Sequence, residues 1–165
     1  MELSVNFHIA SGDLDLSGFL HESCGVAAAY PAMNVMFYVS NAQTIATLIC
    51  GGVCHRFPRL KFVSVESGVG WIPFTLNALD WAWREGDVPR EHPEFDLLPS
   101  EYFKRQIYGC FWFENGPAIS SAIDQLGADR ILFETDFPHP SNAGISGCFN
   151  VEGSNVDLYR TDVLA

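Results

Sequence analysis

Four short runs of strand-forming residues, Leu3 to Ile9, Lys61 to Glu66, Ile107 to Trp112 and Ile131 to Thr135, constrain this chain more than any other feature. Between them lie stretches whose apolar residues recur at helical spacing. Ile45, Leu48, Ile49, Val53 and Phe57 form one such stripe, which Pro58 stops. A second helix is expected from about Ile72 to Arg84, after Gly68 and Gly70, and a third opens with Gly116 and Pro117 as cap and first position and ends at Gly127. Strands joined through helices rather than tight turns run parallel, with right-handed crossovers. The class is therefore α/β. Asp13 to Tyr30 reads as a Gly-rich loop region, and Pro31 opens a helical stretch that breaks near Ser40 and resumes from Asn41. The Pro-rich segment Glu85 to Ser100 reads as a long surface excursion.

With 165 residues, 48% of them hydrophobic, the chain is long enough to bury one real core. A net charge of -11 leaves no basic stripe to displace counterions from a phosphate backbone, which argues against nucleic acid as a partner. The opening MELSVNFHIA carries no basic segment followed by an apolar run, and Pro31 and Asn34 interrupt the apolar stretch Val26 to Val39. Neither a signal peptide nor a membrane span is expected. The five cysteines show no CxxC pair, so the expectation is a cytoplasmic protein with free thiols. Cys50 and Cys54, with His55 beside the second, read as buried thiols, and Trp71, Trp81 and Trp83 as core and packing groups.

Strand phase narrows the architecture further. Alternation puts Ser4, Asn6 and His8 on one face of the first strand, Ser64 and Glu66 on one face of the second, and Leu132, Glu134 and Asp136 on one face of the fourth. Three strands thus end on a polar face at His8, Glu66 and Asp136. Two helix-covered faces would bury those charges to no purpose. In a closed barrel the polar face is the lumen, and the C-terminal mouth is where barrels keep their chemistry.

Two segments carry a resemblance. GGVCHRFPRLKFVSVESGVGWIPF, Gly51 to Phe74, together with ETDFPHP, Glu134 to Pro140, resembles the amidohydrolase-related family that includes aminocarboxymuconate-semialdehyde decarboxylase and the resorcylate-type decarboxylases and hydrolases. The likeness runs from about Asn6 to Pro140. It implies a TIM barrel with a divalent metal at its C-terminal mouth. His8 then matches the metal-ligating histidine of the fifth strand, and Asp136 in TDFPH matches the metal-binding aspartate of the eighth. Glu66 stands where the decarboxylases carry a catalytic histidine, and a glutamate there serves as a base or a metal ligand. The family's His-x-His pair occurs nowhere in this sequence. A whole barrel takes roughly 250 residues, so residues 1–140 are expected to form the C-terminal half, about the last four β/α units of a (β/α)8 barrel. Residues 141–165 are expected to form a Gly/Ser/Asn-rich tail.

The expected chemistry follows from that set. A neutral imidazole and a carboxylate suit zinc, which lowers the pKa of bound water toward about 7. Asp136 is expected to take a proton from that water and Glu66 to act as the second acidic group, with His139 and Trp71 touching a small-molecule substrate. Plainer roles stand beside these: a hydrogen-bonded His8, Asp136 as a turn cap, Glu66 accepting amides of the glycine turn, and Glu134 orienting a neighbour. Hydrolysis of an amide, ester or lactone, or C–C cleavage, is the favoured reaction because Glu66 replaces the histidine. The first alternative is an inactive partial barrel that binds or self-associates, and the second is a non-oxidative decarboxylase. Two protein ligands imply weak metal binding. Open strand edges imply a homo-oligomer.

Overall fold

The computed structural model describes residues 3–12, 21–114 and 116–136. Four strands, β1 (Ser4–Phe7), β2 (Lys61–Ser64), β3 (Ile107–Phe111) and β4 (Ile131–Phe133), form one parallel sheet in the order β1-β2-β3-β4. Sequential order with every pair parallel is the arrangement of a barrel wall, and helices make the crossovers: α1 (His21–Cys50), α2 (Val53–Arg56), α3 (Ile72–Glu85), α4 (Val88–Glu91), α5 (Pro99–Gln106) and α6 (Gly116–Leu126). No helix among the described residues is long and apolar enough to cross a membrane.

Register shows which face each residue takes. Val5, Phe62 and Ile107 align across the sheet, as do Phe7, Ser64, Gly109 and Ile131. Phe62 and Ile107 belong to the core with Ile45, Ile49, Ile72 and Phe103, so this is the helix-covered face. Gly109 lies on it beneath the start of α3, where an added Cβ would come within 2.7 Å of Ile72. Asn6, Val63 and Tyr108 align on the opposite face, none of them fully buried. Ser64 therefore faces the helices, not the lumen. The expected polar face of the second strand is corrected on this point.

The first crossover also departs from expectation. Residues 21–30 of the expected loop are helical, and Pro31 lies inside α1 rather than opening it; residues 13–20 fall outside the described set. A kink at Gly25 (φ 73°, ψ 167°) joins two helical pieces, and glycine alone reaches that backbone at low cost. No break occurs near Ser40. Its hydroxyl donates to the Phe37 carbonyl at 2.6 Å, within the helix, and the buried Asn41 donates to Ser64 Oγ at 3.0 Å. Of the polar pair that reads as an interruption, Ser40 bonds within α1 and Asn41 tethers α1 to β2.

The excursion after α3 holds a helix the sequence reading passed over. Pro99 occupies the first turn of α5, Glu101 accepts from the Leu98 amide at 2.7 Å, and Asp80 of α3 accepts from the Ser100 amide and hydroxyl at 2.9 and 2.7 Å. Tyr102, Phe103 and Gln106 are buried, and Gln106 donates to the Phe57 and Leu60 carbonyls, fixing the entry to β2. Trp83 is core, whereas Trp81 is 66% exposed. Cys54 is buried, but Cys50 is exposed.

Candidate active site

His8, Glu66 and Asp136 all lie just past the C-terminal ends of strands, and Glu66 arrives by a turn rather than by alternation. Continuing the pleat of β2 would send Glu66 to the helix side with Ser64. Instead Glu66 takes a left-handed backbone, φ 60°, and its Oε1 lies 2.9 Å from His8 Nε2. Asp136, already on the lumen face by alternation from Leu132, also takes a left-handed backbone, with φ 55°. Non-glycine residues in this region cost of order 1–3 kcal/mol each, and such strain clusters at functional sites. Glu66 and Asp136 are hydrogen-bonded neighbours, and burial, with Asp136 beside it, raises the Glu66 carboxyl above the usual range although His8 pulls it down.

The protonation of this group follows from its partners. His8 Nδ1 is 3.1 Å from the Ile9 carbonyl, which only accepts, so Nδ1 carries a proton. Nε2 therefore faces the Glu66 carboxyl across 2.9 Å with one proton held between them. A histidine fixed by a backbone carbonyl and turned toward carboxylates is the donor arrangement a divalent cation uses. Nitrogen from His8 and oxygen from Glu66 and Asp136 thus fit a divalent metal in kind. They do not complete its coordination: among the described residues no three His, Cys, Asp or Glu side chains converge as a metal site.

Two further carboxylates hold the surrounding backbone. Glu134 Oε1 accepts the Glu66 amide at 2.5 Å, which agrees with the orienting role expected of it. Glu114, following β3, was not anticipated: its Oε1 accepts the Val69 amide and, at 3.2 Å, that of Gly70, while Oε2 lies 3.4 Å from the Trp112 amide. Capping the glycine turn falls to Glu114, not to Glu66. Gly68 in that turn has φ 69°, and an added Cβ would come within 2.6 Å of Glu114. The signal for Glu114 was its place directly after a strand, in WFEN. Trp71 leaves the turn half-buried, its indole N–H donating to the Ser67 carbonyl at 2.8 Å. Tyr38 of α1, also missed, stacks on Phe113 with centroids 4.7 Å apart. Burial, then Tyr30, Glu66, Asp136 and Glu114, raise its phenol. His139 lies outside the described residues.

Burial, and then the nearby Glu66 and Asp136 charges, push Glu134 up to about 7, against the lowering effect of the Glu66 amide. Burial and Glu134 push the Cys110 thiol up to about 12. Because the folded pKa of Glu134 exceeds its unfolded value, the folded chain binds the extra proton between about pH 4.5 and 7. That contribution is present below the unfolded pKa and lost as pH rises through about 7. We expect the metal-free chain to lose about 1–2 kcal/mol between pH 5 and 8, after allowance for solvent screening, and Glu134→Gln to flatten the change. Urea midpoints at the two pH values measure it; an unaltered pH difference in the variant would place the titrating group elsewhere.

The sequence pattern of the amidohydrolase family matches residues 2–151. A curated relative, the 2-amino-3-carboxymuconate-6-semialdehyde decarboxylase of Dictyostelium discoideum, is 25% identical over 62% of this chain and 28% of its own length. Among solved structures, the 5-carboxyvanillate decarboxylase of Sphingomonas paucimobilis is similar over 82% of this chain and 39% of its own, with TM-score 0.62 and 24% identity. A 5-carboxyvanillate decarboxylase of Novosphingobium aromaticivorans, solved with bound manganese, covers 62% of this chain and 30% of its own at 20% identity and TM-score 0.52. The chain spans well under half the length of each. The fold is that of part of a TIM-barrel amidohydrolase.

Proposed function

The chain belongs to the amidohydrolase family, and from that premise we propose that it supplies the C-terminal half of the active site of a metal-dependent, non-oxidative decarboxylase acting on an aromatic or unsaturated carboxylic acid. The observation that carries the proposal is the pairing of Glu66 with His8 on one side and with Asp136 on the other at the C-terminal ends of parallel strands. The curated relative and the two 5-carboxyvanillate enzymes are named as decarboxylases, which moves the reading from hydrolysis, favoured on the Glu66 replacement, to the alternative.

His8 Nε2 and the Asp136 carboxylate would hold the cation, manganese or zinc, with Glu66 at its edge. When bound, a divalent ion draws charge from a carboxylate or hydroxyl oxygen and orients the substrate. Decarboxylation needs a proton delivered to the carbon that loses CO2, so that the electron pair left by the breaking C–C bond forms the new C–H bond. With His8 Nε2 turned to the cation, the raised Glu66 carboxyl, hydrogen-bonded to Asp136, is the group that would deliver this proton. Trp71 and the Tyr38–Phe113 stack would give an aromatic ring apolar surfaces to lie against.

Hydrolysis is the second reading, supported by the raised Glu66 carboxyl, which suits an acid for a leaving group. A complete barrel carrying this chain, loaded with manganese, should release CO2 from hydroxylated benzoates or carboxymuconate-type acids in preference to cleaving amides, esters or lactones. Turnover of the latter alone would overturn the decarboxylase reading. The non-catalytic alternative draws on exposed apolar groups at the sheet edges, Val5 at 47% and Phe133 at 52%. It requires a homodimer or larger species in sedimentation and indifference to metal.

A further inference from the structure

We infer that Glu134 is a positioning residue: from the end of β4 its carboxyl reaches across β3 to hold the Glu66 amide beyond β2, and so sets the spacing of the two site carboxyls, Glu66 and Asp136. The inference takes its purpose from the proposed active site and its substance from geometry. β2 and β4 are not neighbours; β3 lies between them. Glu134 Oε1 nevertheless accepts the Glu66 amide at 2.5 Å, a contact between residues 68 apart, and meets the Cys110 thiol of β3 on the way. This single side chain spans the ends of three strands.

The tether matters because Glu66 sits at φ 60°. A glutamate gains nothing intrinsic there and relaxes toward extended backbone when released. Relaxation would continue the pleat of β2, turning Glu66 to the side of Ser64 and away from His8. Glu114 fixes the other end of the turn, at Val69 and Gly70. Asp136 begins its own left-handed turn two residues after Glu134, so one anchored carboxyl references both arrivals.

Solution NMR on the metal-free chain tests this. In the unmodified protein a scalar coupling through the hydrogen bond should link the Glu66 amide nitrogen to the Glu134 side-chain carboxyl carbon; its absence overturns the inference and needs no variant to fold. Glu134→Gln keeps a carbonyl acceptor, whereas Glu134→Leu keeps the bulk and removes it. Glu66 amide exchange should speed up at least about tenfold in the leucine variant and stay within about threefold in the glutamine variant. The His8 ring nitrogen resonances should move only in the former. Exchange at Glu66 unchanged by Glu134→Leu, or raised equally throughout β4 and α6, would contradict a positioning role. Failure of manganese to bind would overturn the proposed site while leaving this coupling in place.

Discussion

Asp136→Asn in a complete barrel carrying this chain is expected to lower kcat/KM by about 10³-fold, and Glu66→Gln by about 10–10²-fold. Asparagine keeps the size of aspartate, so the left-handed turn survives; Asn tolerates that backbone at least as well. What is lost is the negative oxygen offered to a cation and the capacity to exchange a proton with Glu66. Glutamine at 66 keeps a polar contact to His8 and leaves the amide that Glu134 holds untouched. Only its proton is removed. Steady-state kinetics of the two variants measure the ranking. Equal losses would mean the two carboxyls work as one proton-sharing unit and that Asp136 has no separate duty toward a metal.

Glu114→Ala is expected to be the most damaging substitution for stability near the site, at about 3–5 kcal/mol. The Glu114 carboxylate is buried and accepts the Val69 and Gly70 amides, with the Trp112 amide at the limit of its reach. Each hydrogen bond to a charged acceptor contributes about 1.5–3 kcal/mol, and the orphaned buried donors carry their own desolvation cost. Val69 is wholly buried beneath the turn, so water cannot easily replace the carboxylate. Against a total stability of about 5–15 kcal/mol, that loss leaves little margin. Glu114→Gln, which keeps one acceptor oxygen, should lose about half as much. Urea denaturation compares the three proteins, and a loss below about 1 kcal/mol in the alanine variant would show the turn holding itself.

Much of the fold could be read from particular residues. Glycine and proline punctuation around Ile72 and Gly116 located α3 and α6, and the four apolar runs located the four strands among the described residues. Ser40 and Asn41 misled because their partners, the Phe37 carbonyl and Ser64, are respectively a back-bond and a contact 23 residues away. Helix α5 carried local signals, Pro99 in its first turn and Glu101 at the third position, that were lost in the Pro-rich run before it. At the site, His8, Glu66 and Asp136 were named together, but for a reason only partly sound. Period-two alternation accounts for His8 and, counted from Leu132, for the face of Asp136, whereas Glu66 leaves the helix side through positive φ, which no apolar pattern encodes. Glu114 and Tyr38 went unseen since their partners are backbone amides and ring faces distant in sequence.

The central claim is that His8 and Asp136 together take a divalent cation at the mouth of this half-barrel. Crystals of the chain soaked in millimolar manganese, with diffraction collected at the manganese absorption edge, test it most directly. The account predicts an anomalous peak within bonding distance of His8 Nε2 and the Asp136 carboxylate, at partial occupancy because the ligand set among the described residues is incomplete. It also predicts that the 2.9 Å pairing of His8 with Glu66 opens or becomes bridged by the ion. A strong peak on other residues, or none while His8 and Glu66 stay paired, would contradict it.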